Sequence, residues 1–122
     1  MAVITAVVVD LSNFQDKGQT YSWTPLTFTG LDSGAPAGNF SGADRSVQVE
    51  GTFGAGGNVV IEGSNDGVNY ETLNDHLGNA LNITAKGIKS VDQICRYVRP
   101  RVTAGDGTTS LTITMLTRRI QP

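Results

Sequence analysis

Apolar and polar residues alternate with a period of two along most of the chain, and breaks rich in Gly, Asn and Asp interrupt the alternation. The clearest run is residues 46–73 (SVQVEGTFGAGGNVVIEGSNDGVNYETL). Val47 and Val49 alternate with Gln48 and Glu50, Val59 and Ile61 alternate with Val60 and Glu62, and residues 70–73 resume a third strand. Gly54-Ala55-Gly56-Gly57 and Ser64-Asn65-Asp66-Gly67 separate them, and glycine supplies the positive φ that tight hairpin turns need. This stretch predicts a β-meander.

The same reading extends in both directions. Residues 2–9 are rich in β-branched residues and predict a strand, with 10–18 a turn or loop, so that 1–18 forms an N-terminal strand or arm. Residues 20–29 carry Tyr21, Trp23, Leu26 and Phe28 on a strand that Pro25 places at an edge or bends. Residues 30–44 hold four Gly and one Pro without periodicity and predict a long exposed loop. Further strands are expected at 45–53, 58–63, 69–73, 80–84, 97–103 and 110–118. Near 87–94, Ile88, Val91 and Ile94 fall three apart, which predicts one short helical turn or an irregular crossover. Many short strands at regular intervals indicate an all-β fold: an antiparallel β-sandwich or jelly-roll-like small barrel, with 1–122 a single domain.

Composition narrows the partners. The 122 residues carry nine Lys and Arg against eleven Asp and Glu, a net charge of −2, whereas a nucleic-acid binder needs a basic excess to exchange against phosphate counterions. No nucleic-acid partner is expected. The apolar N-terminal run is too short to span a bilayer and lacks a basic flank, so no membrane partner is expected either. The lone Cys95 excludes a disulfide within the chain and is expected to be a buried, inert thiol.

Candidate chemistry is sparse. His76, the only histidine, lies in the turn sequence Asn74-Asp75-His76-Leu77-Gly78, and catalysis would need a nucleophile and an orienting group around it. Zinc would need three or four His, Cys or carboxylate ligands. The oxygen-rich turn 63–69, with Glu62 and Asp106, has the ligand chemistry of calcium, but Asx-rich turns more often bond their own backbone. GTFGAGGN lacks the Gly-Lys-Ser/Thr ending of a phosphate loop. No catalytic residue, metal or cofactor is expected. Tyr21, Trp23 and Tyr70 fit either a sandwich core or a sugar-binding platform. In RYVRPRV, alternation turns Val98 and Val102 inward and Arg99 and Arg101 outward. With Arg118 and Arg119, these arginines read either as anchors for a partner's carboxylates or as a solvated face balanced by local acids.

Two resemblances narrow the function. GSNDGVNYETL followed by RYVRP resembles discoidin-like jelly-roll modules, which implies a hairpin and then a core strand with Tyr97 packed inside. From Leu31 to Arg119 the chain more closely resembles small structural proteins of tailed bacteriophages, similar to capsid decoration (cement) proteins. The residues carrying this are GTFGAGGNVVIEGSNDG, GNAL and RPRVTAGDGTTSLT. The resemblance implies a non-enzymatic β-sandwich, commonly a homotrimer. It would bind major capsid protein on the virion's capsid surface after synthesis in the host bacterial cytoplasm. The contacts expected are Val3, Ile4 and Val7 of the N-terminal stretch, Asp32 and Phe40 of the 30–44 loop, and Arg99, Arg101, Arg118 and Arg119. The N-terminal stretch either adds to a neighbouring sheet edge or forms an ordinary strand of its own sandwich. The alternative function is a phage tail or adhesin-associated module in which exposed Trp23 and Tyr70 recognise host glycan.

Overall fold

Alternation of β-branched and polar residues gives each strand one apolar face, which must be buried against another sheet. The computed structural model, which describes residues 2–11, 18–38 and 44–118, resolves this as an all-β sandwich. Its strands are β1 (Val3–Ile4), β2 (Val7–Leu11), β3 (Gly18–Thr27), β4 (Ser33–Gly34), β5 (Asp44–Thr52), β6 (Asn58–Ser64), β7 (Glu71–Thr72), β8 (Asn82–Ile83), β9 (Gly87–Ser90), β10 (Tyr97–Ala104) and β11 (Ser110–Arg118). One sheet runs β1-β4-β10-β6-β7, with β8 also paired to β6; the other runs β2-β3-β11-β5-β9. All pairs are antiparallel except β1 with β4.

The inward residues close the core. Trp23, Leu26, Val47, Val49, Ile113 and Met115 of one sheet and Val59, Ile61, Val98 and Val102 of the other are all buried, with Leu81 among them. Burying such a side chain stabilises the fold by about 1.5–3 kcal/mol. The Trp23 indole Nε1–H donates to the Ala35 carbonyl at 2.9 Å, which satisfies its one polar group.

Four expectations are corrected. The run 46–73 is not a meander: β5 belongs to one sheet and β6 to the other, so the Gly54–Gly57 turn crosses between layers. That corner is tied by the Thr109 hydroxyl donating to the Phe53 carbonyl (2.7 Å) and the Ala55 N–H donating to Asp106 (2.8 Å). The helical turn near 87–94 is instead β9, because the outer edge of β5 offers unpaired backbone groups that a four-residue strand satisfies. Of its three spaced apolar residues only Val91 is buried, and Ile88 and Ile94 face solvent.

The N-terminal stretch is two strands rather than one, β1 in one sheet and β2 in the other. The loop at 30–44 is not uniformly exposed, since Asp32, Ser33 and Gly34 are buried and β4 joins β10. Gly34 is required there: a Cβ would lie 2.6 Å from both Pro100 and the Trp23 ring. Pro25 is accommodated by a bend. The β3–β11 register shifts beside it, and β2 pairs β3 only as far as Ser22, so no partner needs the missing N–H.

Candidate interaction surfaces

Sheet edges come first, because an edge presents unpaired N–H and C=O groups. β1, β7 and β8 are only two residues each. β9 is short, and its Lys89 lies in register with core-facing Val47, an arrangement that blunts an edge with charge. β2 has no such protection. It is five residues long and among the described residues pairs only β3, and its Val7, Val8 and Val9 are 60%, 49% and 49% exposed. Its single charge, Asp10, accepts a hydrogen bond from Gln19 at 2.9 Å. Register puts Val8 beside buried Tyr21 and turns Val7 and Val9 to the outer face. Val3 of β1 is also exposed, whereas Ile4 is half-buried and packs on the core.

A second surface is the outer face of β10 and β6. Tyr97, Arg99 and Arg101 point outward, and Val98 and Val102 point inward. Glu62, in register with Arg99, is buried on this face, and its Oε1 accepts hydrogen bonds from Arg99 Nε (2.7 Å) and Arg101 Nε (3.2 Å). The Arg99 guanidinium lies 3.8 Å from the Tyr70 ring centroid, and that of Arg96 lies 5.1 Å from the Tyr97 centroid. Of the two open alternatives for Arg99 and Arg101, the local acid is present: Glu62 holds both, one carboxylate against two cations.

The remaining site residues scatter. Asp32 is no surface contact; it is buried, and its Oδ2 accepts from the Thr27 N–H and hydroxyl, both at 2.9 Å. Arg118 pairs with Asp44 at 3.1 Å on the opposite sheet from Arg99. Phe40 and Arg119 lie outside the described residues. Tyr97 is half-buried on the outer face rather than packed inside. Trp23, 1% exposed, cannot offer its ring to a glycan, and the Tyr70 face is covered by Arg99.

The chemical candidates resolve into turn structure. Asp66 accepts the Val68 and Asn69 N–H groups and the Ser64 hydroxyl on Oδ1, and the Asn69 amide on Oδ2. These donors hold its carboxyl far below the usual range, with the Asn69 N–H contributing most. These bonds make the turn an Asx turn closed on its own backbone. Asp75 likewise accepts from Asn79 and Leu77 N–H groups, which lower its pKa, and so it does not orient the neighbouring imidazole. His76 Nδ1 lies 2.7 Å from the Ser90 hydroxyl, beside an open groove of about 390 Å³ lined by Arg45, Asp92 and Arg118 among others. The Ser90 hydroxyl also accepts the His76 N–H at 3.2 Å, so it ties down the turn. Cys95 is half-buried, its thiol donating to the Tyr97 carbonyl at 3.3 Å. Among the described residues no cluster of three His, Cys, Asp or Glu could hold a metal ion, and no helix is long and apolar enough to cross a membrane.

No family model matches the chain, and no curated protein or solved structure matches it.

Sequence reasoning named Val3, Ile4 and Val7 but missed Val8 and Val9, although the run of three valines was visible. It also missed Glu62 as the organiser of the arginines. The signal for that was the polar position between Ile61 and Gly63, whose glutamate faces the same side as the arginines only once β6 and β10 pair.

Proposed function

We propose that this protein is a bacteriophage capsid decoration protein: a non-enzymatic sandwich, assembled as a homotrimer, that binds major capsid protein on the outside of the mature head. Two things support the reading. The sequence from Leu31 to Arg119 resembles that class of virion protein, and β2 carries an unprotected apolar edge. The edge is the observation that carries it. A five-residue strand with three exposed valines and one backbone edge unpaired among the described residues suits attachment by strand addition, in which main-chain hydrogen bonds give affinity and alternate side chains fill pockets.

A protein that binds the assembled lattice and not the free capsomer stabilises the lattice by mass action. Three copies of one weak contact on a rigid trimer bind far more tightly than one. The test is co-sedimentation of the purified protein with mature heads assembled without it. Saturable binding and a gain in the heads' heat resistance are expected, both lost on Val8→Lys. Heads that take up none of the wild-type protein would sink the reading.

A further inference from the structure

We propose that Arg99 and Arg101, held side by side by Glu62 and Tyr70, form a docking fork for a carboxylate of an acidic protein partner. The fork itself stands on geometry alone; that its partner is the capsid subunit rests on the function proposed above.

Each arginine spends only its Nε–H on Glu62. Among the described residues, no hydrogen bond takes up Nη1 or Nη2 of either one. Arg99 has its guanidinium face on Tyr70, so its terminal edge is the part left to act. A guanidinium fixed in this way gives up little side-chain entropy on binding, which is the usual tax on a flexible cation.

The charge balance favours an acid as the occupant. Glu62 is buried, its side chain 4% exposed, and it is over-compensated by two cations whose side chains are 27% and 41% exposed. Arg96 adds a third guanidinium over the adjacent Tyr97. Asp66, the acid in the turn beside Tyr70, has both oxygens occupied by turn donors. The face therefore keeps a positive surplus, its terminal guanidinium nitrogens uncommitted among the described residues, on a chain whose net charge is −2.

Planar forks of this kind match carboxylates bidentately, and Arg and Tyr dominate the energetic centres of protein interfaces. Exposed Val3 lies in the same cross-strand row as Arg101, through Ser33, and adds an apolar margin to the face. A surface with apolar and aromatic groups beside the donors suits a folded acidic protein better than a freely solvated ion.

The probe is an acetylated tetraglutamate peptide, followed through the Nε–Hε resonances of the two arginines in NMR spectra at low ionic strength, with inorganic phosphate as the second arm. The peptide is expected to shift both resonances saturably. The double variant Arg99→Lys/Arg101→Lys keeps the charge but not the fork and is expected to bind about tenfold more weakly. Its backbone amide spectrum reports that it is folded. Equal binding by the lysine variant overturns the fork in favour of simple charge. A response to phosphate with none to the peptide overturns the acidic protein partner in favour of a phosphate-bearing ligand, and no response to either overturns the site. If the peptide binds but capsids do not, the fork stands and the capsid reading fails; the converse leaves the capsid reading intact and removes the fork.

Discussion

Asp106 shows how much of this fold is held by single carboxylates in turns. Its oxygens accept the Thr108 hydroxyl and N–H on one side and the Ala55 N–H on the other. It thereby ties the turn before β11 to the corner where the chain leaves one sheet for the other. These donors, the Thr108 hydroxyl first, lower its pKa to about 2. A carboxyl depressed in the folded state contributes stability that is complete above its unfolded value of about 4 and disappears as pH falls toward the folded value. Asp66 and Asp75 are shifted in the same direction for the same reason. The melting temperature should therefore fall as pH drops from about 5 to about 2, and Asp106→Asn should flatten that dependence. Parallel curves for the two proteins would show that the corner does not depend on the ionised carboxylate. At this scale the sequence was legible: Asp66, Asp75 and Asp106 stand in turn sequences, and Asx side chains bond nearby N–H groups by local geometry alone.

Strands were legible too, because alternation is a local property. The expected spans at 45–53, 58–63, 97–103 and 110–118 lie within two residues of β5, β6, β10 and β11, with Val47, Val49, Val98 and Val102 inward as expected. Sheet membership was not legible, since it depends on which edge is vacant when a strand arrives. Glycines after β5 look the same whether they close a hairpin or turn a corner between layers. The short apolar spacing at Ile88, Val91 and Ile94 looks helical until the outer edge of β5 is known to be open. Gly34 is the sharpest case of a residue explained only by the other sheet. It lets β4 approach the Trp23 ring and Pro100 closely enough for the indole to reach the Ala35 carbonyl. Gly34→Ala should therefore overpack the layer and cost about 1–3 kcal/mol in urea unfolding followed through the single tryptophan. A loss below about 0.5 kcal/mol, the usual range for surface positions, would mean that the layers part easily there.

Taken whole, the sandwich is bound along one side by its own N-terminal residues: β1 completes one sheet, and β2 completes the other a few residues later. Of the two open readings of the N-terminal stretch, the structure shows the ordinary one: β2 is a strand of its own sandwich, and among the described residues no strand pairs its outer edge. The segment contributes little to the core. Ile4 and Ala6 pack against it half-buried, and the fully buried residues all come from later in the chain. On the function proposed above, the fold's stability and its attachment to capsids are separable. A chain lacking residues 2–11 should keep a cooperative urea transition, shifted to lower denaturant because the edges of β3 and β4 lose their partners. Its affinity for capsids should be lost. The point variant Val8→Lys should reproduce the loss of binding with stability changed by no more than about 0.5 kcal/mol, because the side chain is half exposed and lysine is a residue that natural edges use for protection. Retained capsid binding by both variants would move attachment away from β2 and onto the arginine face. Binding lost only in the truncated chain would assign the N-terminal segment a structural role and leave the edge valines without one.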